Sequence, residues 1–192
     1  CTNRNMADWD EGRNKIEGEA NTFASYLLMP LDDFREQIKG RVIDIDLMTD
    51  LADRYAVSLT AAILKWMTIT DKRAMIVVGK EGFIDWAWSS DPLLKSGIFY
   101  RARQTVTELP AASLAAQDVD WDTGRHGYLH PAGVWLGSEP VHEMTVFSPS
   151  NDQMTISLLL YPDRAPSRWE MAELEEEQTV DTFDKFMDGR TG

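Results

Sequence analysis

The hydrophobic pattern of this chain changes near residue 74, and the change limits the folds that the chain can adopt. Before residue 74, apolar side chains recur every three or four residues, as on one side of an α-helix, and after it they form short β-rich runs. A helical pattern returns at Ser167, which forms a capping box with Glu170. The sequence therefore predicts an α+β fold with N-terminal helices, a mainly antiparallel β-sheet and a C-terminal helix.

Two helices joined by a sharp bend are predicted before Gly40. The pattern over residues 11–29 places six apolar side chains on one side of a helix: Ile16, Ala20, Phe23, Ala24, Leu27 and Leu28. Pro30 cannot continue that helix, but it suits the first turn of a second one, which ends at Gly40.

The next two helices are predicted to form a helix-turn-helix-like pair. Asp44 or Asp46 can cap the first of them and Ser58 the second, because these side chains accept hydrogen bonds from the free N–H groups of a first helical turn. The joint between the two helices, Ala56-Val57, is short. Together with the two preceding helices they make up the first predicted domain, residues 1–73.

Two β-hairpins are predicted in the second domain, residues 74–192. The first joins Ala74–Val78 to Phe83–Trp88 through a four-residue loop. The second joins Val141–Phe147 to Met154–Tyr161, and apolar residues alternate with polar ones in its second strand. This alternation predicts that one face of the sheet is buried on a core.

The sequence between the two hairpins has no sustained period. We expect residues 101–131 to form a loop with short turns, and Val134–Leu136 to add a strand. A mobile loop over a pocket and a surface excursion without function are both compatible with the polar composition of the loop. The tryptophans Trp66, Trp86 and Trp88 are expected to pack in the core.

Charge limits the partners of the chain. The chain has 19 Lys and Arg residues against 32 Asp and Glu residues, a formal net charge of −13, and its basic residues are not clustered. Such a chain repels nucleic acid and anionic membranes, so we predict neither as a direct partner. Its apolar runs fall far short of the ~20 residues that a membrane-spanning helix needs.

Cysteine usage indicates a compartment. Cys1 is the only cysteine, so the chain cannot form an internal disulfide, and we identify no signal peptide. Both observations predict a reducing environment, the cytoplasm. Because the chain begins with Cys rather than Met, we expect that further sequence precedes it.

One segment carries a specific signature. Residues 17–30, EGEANTFASYLLMP, contain the pattern E-x-x-A-N-x-F-A-x-x-L-L-M-P, and Leu51–Ser58 follow it with L-A-x-x-Y-x-V-S. Both segments resemble the ImmA/IrrE family of zinc metallopeptidases. The resemblance covers residues 11 to about 70 and implies that the helices belong to a zincin-like peptidase domain. The β-rich part is compatible with the sensor-like GAF-type domain that some family members carry.

The resemblance implies that Glu17 is a zinc ligand. In the family, an H-E-x-x-H helix supplies two histidine ligands and the general base, and the glutamate of E-x-x-A-N supplies the third ligand. The helical wheel independently places Glu17 at the edge of the apolar side, in line with Ala20, and Glu19 on the polar side. A carboxylate between packed helices is costly unless it is paired or bound to a metal. The alternative is a salt-bridged or half-exposed Glu17.

The chain departs from the family because it contains no H-E-x-x-H. His142 is followed by a glutamate, as in the motif, but the second histidine is missing. His126 and His130 have the spacing of helix ligands, yet the glycine between them and the proline after them favour a loop. A hydrolytic zinc needs three protein ligands and an open position. We therefore predict that this chain alone binds no zinc and is not a competent peptidase.

The sequence is compatible with three functions. In the first, the chain is the C-terminal portion of a zinc endopeptidase that, as the resemblance implies, cleaves a helix-turn-helix transcriptional repressor, with zinc bound in the complete protein only. In the second, it is a non-catalytic module that recognises such a repressor or a small signal. Direct DNA binding is the third, and it is disfavoured because Leu59–Thr70 contains a single basic residue, Lys65.

Overall fold

Helices form the N-terminal part of the described chain, as the sequence predicts. The computed structural model describes residues 25–101, 105–117, 119–148 and 154–163. Residues 25–28 are helical, and Pro30 then precedes a new helix, so the predicted bend at this proline is confirmed. The helices that follow are α1 (Leu31–Ile38), α2 (Ile45–Tyr55) and α3 (Leu59–Met67).

Side-chain caps determine where α2 and α3 begin. The Asp44 carboxylate accepts a hydrogen bond from the N–H of Leu47 at 2.7 Å, so Asp44 caps α2. The Ser58 hydroxyl accepts one from the N–H of Ala61 at 3.2 Å at the start of α3. Between the helices, Ala56 has a φ of 51°, the left-handed conformation in which helices commonly end. The predicted pair of capped helices joined by a short turn is therefore confirmed.

An antiparallel sheet follows the helices. Its strands are β1 (Ala74–Lys80), β2 (Phe83–Ser89), β3 (Tyr128–His130), β4 (Val141–Phe147) and β5 (Met154–Leu160). They form one five-stranded sheet in the order β2-β1-β5-β4-β3, and each neighbouring pair is antiparallel. The α+β class and both hairpins are confirmed, whereas the GAF-type assignment stays a prediction.

The turn between β1 and β2 is shorter than predicted. Only Glu81 and Gly82 connect the two strands, with φ values of 51° and 84°. Two positive φ values are the combination that matches the twist of a two-residue hairpin. The predicted four-residue loop is wrong because Gly79 is a strand residue required by packing: a Cβ at this position would lie 2.5 Å from the hydroxyl oxygen of Thr155.

The region between the hairpins contains more regular structure than predicted. It includes a 3₁₀ turn (Leu114–Ala116), a helix, α5 (Trp121–His126), and strand β3. Strand β3 escapes prediction because three residues are too few to establish a period. The strand predicted at Val134–Leu136 is wrong, since these residues form bends. Trp135 is buried there at 3 % exposure, and Val134 and Leu136 pack, partly buried, against the same core.

Both faces of the sheet are covered. One face, which we call the helix face, includes Ile76 and Leu158 and packs against the helices around Trp66. The other, which we call the loop face, includes Met75 and Leu159 and packs under a short helix, α4 (Asp91–Lys95), and the loops that follow it. Because successive residues of a strand point to opposite faces, the central strands β1 and β5 are apolar over most of their length.

The tryptophans divide between core and surface. Trp66 is 1 % exposed, and Trp86 packs half-buried against the helix-face core, so the packing predicted for both is confirmed. The prediction for Trp88 is wrong, because its side chain is 61 % exposed. Trp88 lies on β2, an edge strand with a neighbouring strand on one side only.

Several predictions fall outside the described residues. These are most of the helix predicted over residues 11–29 and the whole of the C-terminal helix predicted from Ser167. The described residues up to Pro162 belong to one compact unit, and Asp163 begins a second. The division into domains at residue 73 stays a prediction. No helix in the described part of the chain combines the length and apolar character needed to cross a membrane.

Candidate functional site

The predicted zinc ligand, Glu17, lies outside the described residues. So does the signature as far as Ala24. In the described part of the signature, a helix ends at residue 28 and Met29 is buried at 3 % exposure. Pro30 then immediately precedes α1. The role of Glu17 as a metal ligand therefore stays a prediction.

The three histidines of the chain lie in different environments. His126 ends α5 on the surface, and its Nδ1 lies 2.8 Å from the carbonyl oxygen of Asp122. His130 is buried on the loop face at 3 % exposure, whereas His142 lies on the helix face, because it pairs across the sheet with Leu160. Burial lowers the pKa of the His142 imidazole, an effect that the backbone carbonyl of His126 opposes.

The described residues do not fit a hydrolytic zinc site. In residues 25–163, apart from the short gaps in the description, no group of three or more His, Cys, Asp or Glu side chains could hold a metal ion. The printed sequence also lacks the H-E-x-x-H that would supply two ligands and a base. These described residues therefore supply no zinc-dependent catalytic step.

The helix pair is held to α1 by a carboxylate. Asp33 of α1 accepts hydrogen bonds from the Tyr55 hydroxyl at 2.6 Å and from the Arg54 guanidinium at 3.1 Å. Phe34, the next residue in α1, stacks on the Tyr55 ring with centroids 5.7 Å apart. The hydrogen bond from Tyr55, followed by that from Arg54, holds the pKa of Asp33 below its ordinary value. This contact fixes the orientation of α1 against the end of α2.

The second helix of the pair does not offer a cation to DNA. Lys65 is the basic residue of α3, and it is 3 % exposed. Its ammonium lies 4.0 Å from the centroid of the Tyr26 ring, and burial lowers its pKa. A recognition helix presents several Arg or Lys side chains to phosphates and base edges. The surroundings of Lys65 instead fit packing between helices.

A buried carboxylate lies at the centre of the loop face. Glu143 of β4 has no exposed surface. Its Oε2 accepts hydrogen bonds from the N–H of Leu114 at 3.0 Å and from the indole N–H of Trp135 at 2.8 Å. Its Oε1 accepts from the N–H of Ala115 at 3.0 Å and from the hydroxyl of Thr145 at 2.8 Å. Four donors therefore surround one carboxylate.

Further polar side chains extend this cluster. The Thr145 hydroxyl lies 2.8 Å from that of Ser157. Since Thr145 donates to Glu143, Ser157 donates to Thr145. Nε2 of His130 lies 2.8 Å from Oε2 of Glu143, but it is not aligned for a hydrogen bond.

The Glu143 cluster is not predicted by the sequence, in which Glu143 stands out only as the second position of an incomplete zinc motif. Strand alternation was the available signal, because Glu143 shares a strand face with Val141 and Thr145 and must point toward a core. Both carboxylate oxygens are occupied and the side chain is closed to solvent. The arrangement therefore holds loop segments on the sheet and offers no open position to a reacting group.

Comparison with known proteins relates the N-terminal helices to one family. Residues 7–67 match a family model described as the IrrE N-terminal-like domain, Peptidase_M78. The match covers roughly a third of the chain and includes the E-x-x-A-N signature and α1–α3. The resemblance to the ImmA/IrrE family is therefore confirmed over this segment, and it relates the chain to metallopeptidases. No curated protein matches the chain.

Proposed function

We propose that this chain forms the C-terminal portion of a zinc-dependent endopeptidase that cleaves a helix-turn-helix transcriptional repressor. The observation that carries the proposal is the match of residues 7–67 to the IrrE N-terminal-like domain, which includes the E-x-x-A-N signature. In this proposal Glu17 binds the zinc of the complete protein. The two histidine ligands and the general base of the complete protein come from an H-E-x-x-H segment outside these 192 residues.

The helix pair and the sheet have supporting roles in the proposal. The helices α2 and α3 are capped by side chains, and Asp33 joins α1 to the end of α2. The sheet is buried on both faces, and in the proposal it positions the substrate or responds to a signal. Neither part supplies a group that could cleave a peptide bond by itself.

A non-catalytic binding module is the second candidate function. It is favoured by the missing H-E-x-x-H and by the lack of a metal-binding group among the described side chains. In this alternative the chain keeps the scaffold of the family and binds the repressor, or a small signal, without cleaving it. The two candidates differ in whether zinc is ever bound and in whether the repressor is cleaved.

Charge indicates the kind of partner, and cysteine content indicates the compartment. A net charge of −13 and the burial of Lys65 in α3 favour a protein partner over direct contact with nucleic acid. We place the protein in the cytoplasm because its single cysteine, Cys1, requires no oxidising environment.

Metal analysis tests the proposal. The purified chain should contain no stoichiometric zinc, because one carboxylate cannot replace a three-ligand site. In a gene product that carries both an H-E-x-x-H and these residues, Glu17→Gln should lose zinc and repressor cleavage. Glu19→Gln is the matched control, because Glu19 is predicted on the polar side of the same helix.

Three results would change this conclusion. About one zinc per molecule in the purified chain would mean that it contains ligands we have not identified. Zinc loss in Glu19→Gln but not in Glu17→Gln would move the ligand to Glu19. A complete gene without H-E-x-x-H would reject the enzyme and favour the binding module, which a repressor pull-down without cleavage would support.

A further inference from the structure

The 3₁₀ turn on the loop face has its own backbone hydrogen bonds, and a side chain of β4 joins it to the sheet. The first N–H groups of a helical turn have no partner within the turn. In this chain the N–H groups of Leu114 and Ala115 each donate to Glu143 at 3.0 Å. We call residues 113–116 the strap. Ser113, Leu114 and Ala115 are buried, at 0 %, 5 % and 7 % exposure.

The contacts of Glu143 suit an ionised carboxylate. Two backbone N–H groups and the indole N–H of Trp135 can only donate, so they need oxygen lone pairs opposite them. The fourth partner, the Thr145 hydroxyl, also donates. His130 is the basic side chain in contact with the carboxylate within the described residues, and the half-buried Tyr100 also lies near it. Hydrogen bonds to an ionised acceptor are stronger than those between neutral groups.

We propose that Glu143 is a latch that closes the strap over the loop face of the sheet. When both strap amides are bound, Leu114 and Ala115 cover a polar row formed by Glu143, Thr145 and Ser157. When the latch opens, the strap leaves and this row becomes accessible while the sheet stays folded. The proposal concerns a conformational device of the sheet and does not depend on zinc or on peptidase activity.

Glu143→Gln tests the latch because each carboxylate oxygen accepts a hydrogen bond from a different strap amide. Leu114 donates to Oε2 and Ala115 donates to Oε1. A glutamine has the same shape but offers one oxygen and one NH₂ group. In either orientation of the amide, one strap N–H faces another donor. The substitution therefore weakens the latch without removing volume from the core.

Amide hydrogen exchange, followed by NMR on the full 192-residue chain, measures the latch directly. In the wild type, the amides of Leu114 and Ala115 should be protected, and they should open at lower denaturant concentration than those of β1 and β5. In Glu143→Gln, exchange of at least one strap amide should rise by roughly tenfold or more relative to the sheet. The exposed Glu108→Gln is the matched control, and its strap exchange should match the wild type.

Two results would overturn the latch. The first is a wild-type strap whose amides exchange at the rate of an unfolded peptide, or only together with β1 and β5 when the whole sheet unfolds. The second is a Glu143→Gln protein in which strap and sheet amides accelerate equally. The wild-type measurement decides the question even if Glu143→Gln fails to fold, because it asks whether the strap opens as a separate unit.

Discussion

Arg73 joins three parts of the chain that are distant in sequence. Its side chain is 6 % exposed, and its guanidinium donates to both oxygens of Glu139, at 2.5 and 2.8 Å. It also donates to the carbonyl of Pro162 at 2.9 Å and to the hydroxyl of Ser96 at 3.1 Å. The planar fork of arginine suits such a set of acceptors, and lysine could not reproduce it.

Arg73→Met should lower the free energy of unfolding by about 2–4 kcal/mol, because it leaves the Glu139 carboxylate without its buried partner. Urea denaturation at neutral pH measures the loss. Arg35→Met is the control, because the Arg35 side chain is 58 % exposed and lies 4.0 Å from the carboxylate of the exposed Asp32. Equal losses in the two variants would show that the Arg73 contacts do not stabilise the fold.

Asp33 should make stability depend on pH in the acid range. Its folded pKa is held below the unfolded value of 3.8, first by Tyr55 and then by Arg54. A lowered folded pKa adds stability that is complete above the unfolded value and is lost as the pH falls through the folded value. Asp33→Asn should therefore unfold at lower urea than the wild type at neutral pH, and the difference should shrink below pH 3.8.

The neighbouring Asp32→Asn is the control for this measurement, because the Asp32 side chain is fully exposed. Its difference from the wild type should be small and nearly constant with pH. A difference between Asp33→Asn and the wild type that stays the same on acidification would mean that Tyr55 and Arg54 do not bind the charged form of Asp33 preferentially.

Helix-turn-helix pairs often bind DNA, but the charges of α2 and α3 argue against DNA binding by this pair. We expect no submicromolar affinity for duplex DNA at physiological ionic strength, because the lysine of α3 is buried against Tyr26. Fluorescence anisotropy at two salt concentrations measures this. Lys65→Gln should leave the result unchanged. Salt-dependent submicromolar binding would contradict the prediction, and its loss in Lys65→Gln would assign that binding to α3.

Elements that depend on local sequence were predictable, and elements that depend on distant partners were not. The caps at Asp44 and Ser58 bind N–H groups three residues away, so the sequence alone identifies them. Strand β3 exists because it pairs with β4, and its three residues carry no pattern of their own. The four-residue loop was wrong because Gly79 is needed for packing against Thr155, a partner on β5.

The candidate sites divide in the same way. The Glu17 signature is a local pattern, and the family match over residues 7–67 supports its recognition, although the ligand role itself stays a prediction. The Glu143 cluster is assembled from β4, the strap and Trp135, which are separated by up to 29 residues in the chain. A glutamate in a strand gives no sign of which loop will bind it. Only the folded arrangement identifies those donors.

At the scale of the whole molecule, the helices and the sheet share one core. Ile76, Met144 and Leu158 on the helix face pack with Phe34, Leu51 and Trp66 of the helices. Each of these six side chains is at most 1 % exposed. Burial of apolar surface contributes about 25 cal/mol per Å², so a sheet without its helices would lose much of its stabilisation.

A chain of residues 74–192 alone tests the predicted division into domains at residue 73. Because its helix face would be open to solvent, we expect it to bind a hydrophobic dye, to lack near-ultraviolet circular dichroism and to unfold without a cooperative transition. The full chain, measured in parallel, should show a cooperative urea transition. If residues 74–192 unfold cooperatively and bind no dye, the sheet is an independent domain. The helices would then be a separable layer on a sheet that is stable without them.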